Sequence, residues 1–421
     1  MQSSIKLRLT VMNFLQFAVW GAYLTSMGRY LGTAGFGSEI GNFYAMQGLV
    51  SLFMPALMGI VADRWIPAQR LLGVCHTLAG MLMLGVFLYT QTDTPSYPTL
   101  FALYSLSVAF YMPTLALSNS VAYTSLDQAG LDLVKSFPPI RVFGTVGFIC
   151  TMIAVSLLGL EATSGQFAVS AIISLVLAVY AQTLPNCPTA PKGQSKSLVE
   201  ALGLRAFVLF KQRKMALFFI FSMLLGVSLQ ITNGFANPFI STFGEIPAYA
   251  DTFGVKYANI LISLSQLSET LCILLIPFAL RRFGIRRVML IAMVAWVLRF
   301  ALLGLGNPGS GVWLFLLSMI VYGVAFDFFN VSGSLFVDKE TDPSIRSSAQ
   351  GLFMIMTNGI GATLGSLGAQ AVINHFVYSE HDTTAILAGW SMSWYVFAAY
   401  AAVVAVLFAL LFRYNTATEA K

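Results

Sequence analysis

Charge is what this sequence has least of. Only 10% of its 421 residues are Asp, Glu, Lys or Arg, where a soluble domain carries about 25%. So few charges cannot cover a soluble surface when 57% of the residues are hydrophobic and mean hydropathy is +0.78. Lipid removes the need for polar cover. Histidine and cysteine are scarce too. The three histidines, His76, His375 and His381, have no metal-ligand spacing, so no metal and no cofactor is expected. The four cysteines, Cys75, Cys150, Cys187 and Cys272, fall on no external loop of the topology below, which argues against a disulfide framework. Ten-residue alternating segments of a membrane barrel are missing. So is any strand ahead of Gly359, Gly361, Gly365 and Gly368, which excludes a nucleotide-binding loop and leaves close helix packing as their reading.

What is present is a series of long apolar runs. A helical span takes about 20 apolar residues at about 1.5 Å each, and helices satisfy their own backbone in lipid. Twelve candidates follow: 9–31, 40–62, 71–91, 98–123, 137–160, 165–184, 215–243, 257–280, 288–305, 311–335, 345–376 and 386–412. The first run is too long for a signal-peptide core and is expected to stay as the first span. The stretch 185–214 breaks the pattern, starting rich in Pro and ending basic. It divides the chain into an N-terminal six-helix half (1–184), a cytoplasmic linker (185–214) with an amphipathic segment near 198–210, and a C-terminal six-helix half (215–421). The expected fold is all-α and integral to the membrane, in two six-helix halves of the kind built by internal duplication.

A net charge of +6 does not imply a nucleic-acid partner, because its distribution follows the positive-inside rule. With the N-terminus inside, nineteen of the 23 Lys and Arg fall in cytoplasmic segments, Arg29 and Lys256 lie outside, and Arg141 and Arg299 lie within spans. Both termini are then cytoplasmic. Two short basic loops sit at matching places in the halves. The first carries Gly59, Asp63 and Arg64 and resembles the cytoplasmic loop motif of the major facilitator superfamily. That resemblance implies a conformational latch in which the glycine permits close packing and the Asp and Arg pair. The second, Arg281-Arg282-Phe283-Gly284-Ile285-Arg286-Arg287, is equally well read as an ordinary basic loop.

Four charges lie inside spans: Arg141, Glu269, Arg299 and Asp327. Each opposes insertion by about 2.5–3.5 kcal/mol at a helix centre, so a polar cavity or mutual pairing is expected. Helical spacing gives them neighbours: Thr145 and Phe148 beside Arg141, Gln230 with Asn233, Gln266 with Glu269, and Tyr322 and Phe326 beside Asp327. Amides and carboxylates suit a sugar's hydroxyls, and rings suit a flat base. Arg299 reads as a structural or snorkelling charge on a peripheral span, His76 as structural near the cytoplasmic interface. Gln16 and Trp20 are as suited to packing as to lining the cavity. Glu269 and Asp327 have no cheap structural excuse.

Long strings carry a family resemblance over nearly the whole chain: FMPALMGIVADRW, FPPIRVFGTVGF, FFIFSMLLGVSLQITN, SLSQLSET, MIVYGVAFDFFNVSGSLFV and IRSSAQGLFM. The sequence resembles the bacterial nucleoside:proton symporter family of the major facilitator superfamily. The resemblance implies a monomeric carrier in the cytoplasmic membrane, with lipid, nucleoside and proton as its partners. It also implies a nucleoside site between the halves at Arg141, Thr145, Phe148, Gln230, Asn233, Gln266, Glu269, Tyr322, Phe326 and Asp327. The preferred nucleoside is left open. Glu269 and Asp327 are the proton-coupling candidates. A proton-coupled sugar carrier on the same fold is the alternative. A transporter-like sensor is a third reading. An intramembrane aspartyl protease is disfavoured, because Asp327 follows Val324-Ala325-Phe326 rather than a Gly-x-Gly context; the chain is not expected to be an enzyme.

Overall fold

The computed structural model describes residues 2–189, 204–343 and 345–414, and every regular element among them is helical. Nine helical stretches among the described residues are long and apolar enough to cross a membrane, and Gly165–Ala181 and Ala258–Ile273 are shorter apolar helices. The first span is Gln2–Gly21, a turn, then Met27–Thr33. These give the twelve-helix architecture. The second, third, fourth and fifth spans are Gly37–Arg64, Ala68–Tyr89, Tyr97–Gln128 and Leu133–Leu157; the sixth is Gly165–Ala181. The seventh is Arg213–Leu229 followed by Ile231–Thr242, and the eighth opens with Ala258–Ile273. A single run, Ile276–Leu305, holds the end of the eighth and all of the ninth. Gly284 separates them at φ 75°, in the left-handed region that costs glycine least. The tenth is Val312–Glu340 and the twelfth Thr383–Leu411. The eleventh changes pitch: Arg346–Met354 is α-helical, Ile355–Gly361 is a π-turn, Ala362–Ile373 is α-helical again, and Asn374–Tyr378 is a second π-turn.

Of the predicted linker, residues 190–203 lie outside the described residues. That includes the first part of the amphipathic segment near 198–210. Its basic end forms a 3-10 helix, Leu204–Lys211, which buries Ala206 and Leu209.

By contacts the chain forms two compact units, Met1–Tyr30 with Leu49–Leu202, and Leu31–Gly48 with Gly203–Lys421. In the first, the first span packs on the fifth, the second on the fourth, and the third on both the fourth and sixth. In the second, the seventh packs on the eleventh, the eighth on the tenth, and the ninth on both the tenth and twelfth. Adding six to each span number turns one pattern into the other, as a duplicated unit requires.

Glycine sets the closest of these contacts. A Cβ on Gly21 would stand 2.4 Å from the carbonyl oxygen of Phe148, and one on Gly147 2.1 Å from that of Phe14. The equivalent pair of spans has the same seam: a Cβ on Gly226 would meet the Thr357 oxygen at 2.4 Å, and one on Gly365 the Val227 oxygen at 2.0 Å. In lipid, such backbone approach supplies packing that apolar side chains alone do not. Gly361 belongs to this seam, whereas a Cβ on Gly368 would meet nothing within 4 Å.

Residues 31–48, N-terminal in sequence, pack within the second unit against the eleventh span. Gln370 accepts from the Gly41 amide and donates to Gly37 O at 3.0 Å, and Asn374 donates to Ser38 O at 3.2 Å. Both predicted external cations are ion-paired, Arg29 with Glu161 at 3.3 Å and Lys256 with Asp251 at 2.8 Å. The Lys256 ammonium holds the Asp251 carboxyl below its ordinary value. Arg286, from the second basic loop, donates to the carbonyls of Phe412 and Ala409 at 2.6 and 2.7 Å and so caps the twelfth span.

Candidate substrate site

The second unit brings several predicted residues together. The seventh span breaks at Gln230, between its two helices. There Asn233 donates to Gln230 Oε1 at 2.8 Å, which holds the two amides as one polar group. On the tenth span Tyr322 and Phe326 stack, with centroids 5.6 Å apart and planes inclined by 17°. Gln266 of the eighth span reaches the Tyr322 side chain, and Glu269, one turn on, is within electrostatic range of Tyr322. Asp327 is only 5% exposed, its Oδ2 has no hydrogen-bond partner among the described residues, and the charge of Glu269 bears on it. The unit therefore sets two carboxyls, three amides and an aromatic pair on three helices.

In the first unit the predicted residues lie along the fifth span. Arg141 lies over the Phe17 ring of the first span, its guanidinium carbon 4.0 Å from the centroid. Gly144 leaves room for it: a Cβ there would stand 2.9 Å from Arg141 Nη1. Thr145 is half-buried. Phe148 is buried, and Trp20 meets its ring edge-on at 6.3 Å. Trp20 also contacts Tyr111 at 6.1 Å.

Behind that wall is a polar network that the sequence showed only as separate residues. Gln16 donates to Thr114 Oγ1 at 2.7 Å, and His76 Nε2 lies 2.8 Å from Gln16 Oε1. That oxygen can only accept, so Nε2 carries the hydrogen. Nδ1 lies 2.9 Å from Ser174 Oγ. His76 and Gln16 are both fully buried, which fits structural roles. Tyr111 donates to the Gln16 carbonyl at 2.9 Å and ties this network to Trp20. Of the two readings of Arg299 the structural one holds: it is 2% exposed and bonded between helices rather than snorkelling. One expectation needs correction. Gly59 is not a close-packing glycine here, because a Cβ would meet nothing within 4 Å. Asp63 is half-buried and Arg64 exposed at the end of Met54–Arg64.

Comparison with known proteins gives the family. The family model for nucleoside H+ symporters matches residues 3–417. The xanthosine permease of Escherichia coli K12 is 50% identical over 415 residues, covering 98% of this chain and 97% of that protein. The nucleoside permease NupG of the same organism is 46% identical, with the same coverage. A crystal structure of the nucleoside transporter NupG superposes with TM-score 0.89 at 46% identity, covering 98% of this chain and 100% of that one. A peptide transporter of the POT family, at TM-score 0.70 and 12% identity, shares the fold alone. With the match running through nearly every residue of both six-helix halves, the chain belongs to the nucleoside H+ symporter family.

Proposed function

We propose that the protein imports nucleosides with protons by alternating access. In this reading Arg141, Thr145 and Phe148 act on the same nucleoside as Gln230, Asn233, Gln266, Glu269, Tyr322, Phe326 and Asp327. The amides offer donors and acceptors to the sugar, and Phe148 and Phe326 offer faces to the base. The observation that carries the proposal is Asp327, buried, without a partner for Oδ2 and beside a second carboxyl. A charge in that position is costly and a neutral acid much less so, so the group is suited to gaining and losing a proton as the carrier reorients. Nucleosides such as adenosine and uridine are neutral at pH 7, and accumulating them needs a driving ion, which a protonatable carboxyl pair can carry. Asp63 and Arg64 act in this account as a latch at the end of the second span. Both termini and the 185–214 linker face the cytoplasm of a bacterium, supported by nineteen cytoplasmic Lys and Arg against two external ones that are each ion-paired.

The test separates binding from coupling. Asp327→Asn and Glu269→Gln, reconstituted in proteoliposomes, are compared for exchange of internal for external nucleoside and for uphill uptake under a proton gradient. The coupling carboxylate is the one whose neutralisation spares exchange and abolishes accumulation. If both variants still concentrate nucleoside, the proton route proposed here is wrong.

A further inference from the structure

The substrate proposal leaves one intramembrane charge unused. Arg299 is 2% exposed on the ninth span, and no carboxylate pairs with it among the described residues. Its Nη1 donates to Ser318 O at 2.9 Å and to Ser265 Oγ at 3.3 Å, and Ser318 Oγ donates back to Arg299 O at 2.9 Å. The guanidinium carbon stands 4.5 Å from the centroid of the Tyr322 ring. Trp296, one turn before Arg299, meets the same ring edge-on at 5.9 Å and 87°. Ser318 and Ser265 each lie four residues before a proposed site residue, Tyr322 and Glu269, and so one helical turn away. The guanidinium thus grips the eighth and tenth spans one turn from the site and holds an aromatic ring that belongs to it.

A burial this complete is hard to explain as simple helix packing. An uncharged residue would tie the three helices without carrying a cation into lipid. A planar guanidinium offers something an apolar side chain does not: a face for the ring and directed donors for two neighbouring helices at once. We infer that Arg299 is a positioning residue for nucleoside binding, fixing the Tyr322 ring and, through it, Phe326 stacked on that ring and Gln266 at its side chain. This rests on the reading that Tyr322, Phe326 and Gln266 line the site.

The full chain, purified in detergent, is titrated calorimetrically with adenosine, uridine and xanthosine, using whichever binds wild type most tightly. The variants are Arg299→Met, Arg299→Lys, Tyr322→Leu and the double variant Arg299→Met/Tyr322→Leu. Tyr322→Leu and Arg299→Met should each weaken binding about tenfold, with Arg299→Lys in between, because each removes one partner of the cation–ring contact that fixes the site ring. The double variant should bind within about threefold of Tyr322→Leu alone, because coupled residues are not additive. In exchange assays, Arg299→Lys should raise KM and leave the maximal rate per folded carrier unchanged, and it is the variant to rely on if Arg299→Met does not fold. Normal affinity in the folded Arg299 variants alongside a weakened Tyr322→Leu overturns the inference and spares the site. So do losses that multiply in the double variant. Normal affinity in Tyr322→Leu overturns the reading of the site, and this inference with it.

Discussion

At the scale of the residue, Asp327 and Arg299 meet the cost of burial in opposite ways. Arg299 keeps its charge by bonding to a carbonyl and a hydroxyl and lying over a ring. Asp327 has no such set of partners, which suits a group that changes its charge. The sequence displayed all four intramembrane charges, because each interrupts an apolar run. It did not show which way a side chain turns, so Arg299 read as structural or snorkelling, and its place against the Tyr322 ring was not visible. Trp20, which meets Phe148, was read as suited to packing or lining, while Tyr111 behind it was hidden, because an aromatic residue in an apolar run has no contrast with its neighbours. The two proposed base-facing rings give a direct check. Phe148→Ala and Phe326→Ala should each weaken nucleoside binding by about 1 kcal/mol or more, and Phe→Tyr at either position should be tolerated better. Unchanged affinity in both alanine variants would put the base elsewhere.

At the scale of the element, span identity was legible from run length alone, since lipid thickness sets a minimum. The breaks within spans were not. The turn after Gly21, the interruption at Gln230 and the two π-turns of the eleventh span leave the run apolar and so leave no mark in it. Glycine was the partial exception. Four glycines of the eleventh span suggested close packing, and Gly361 and Gly365 do pack, while Gly368 faces open space. The seam predicts an overpacking penalty. Gly147→Leu should destabilise the carrier by about 1–3 kcal/mol or more, since its Cβ would meet backbone that cannot rotate away. The checking measurement is thermal unfolding in detergent, with Gly368→Leu as the control that should change little. The proposed latch belongs to this scale too. Asp63→Asn should slow exchange and leave equilibrium affinity nearly intact, because Asp63 ends the second span and is not among the residues proposed to touch substrate. A large loss of affinity at unchanged turnover would assign Asp63 another role.

At the scale of the whole molecule, the reading rests on two features of the sequence: six runs on either side of a basic, Pro-rich interruption for the two halves, and the distribution of Lys and Arg for the proposed sidedness. The duplicated pattern of neighbours in the two units gives the first its physical content. The placing of residues 31–48 with the second unit was not legible, because it depends on contacts between segments over 300 residues apart, such as Gln370 with Gly37. The topology itself is open to test. Single cysteines at Asp93 and Ser195, in a cysteine-free background, should be labelled from opposite sides of the membrane by an impermeant reagent. Labelling of both from outside would refute cytoplasmic placement of the linker. The central claim, that the proton gradient moves a neutral nucleoside, is tested most directly by uptake of uridine, which is neutral at pH 7, into proteoliposomes with an imposed inward proton gradient and no other ion gradient. Nucleoside should accumulate above its external concentration, carry net positive charge inward, collapse on adding a protonophore and ignore the replacement of sodium. Accumulation that survives the protonophore, or that requires sodium, would contradict the account.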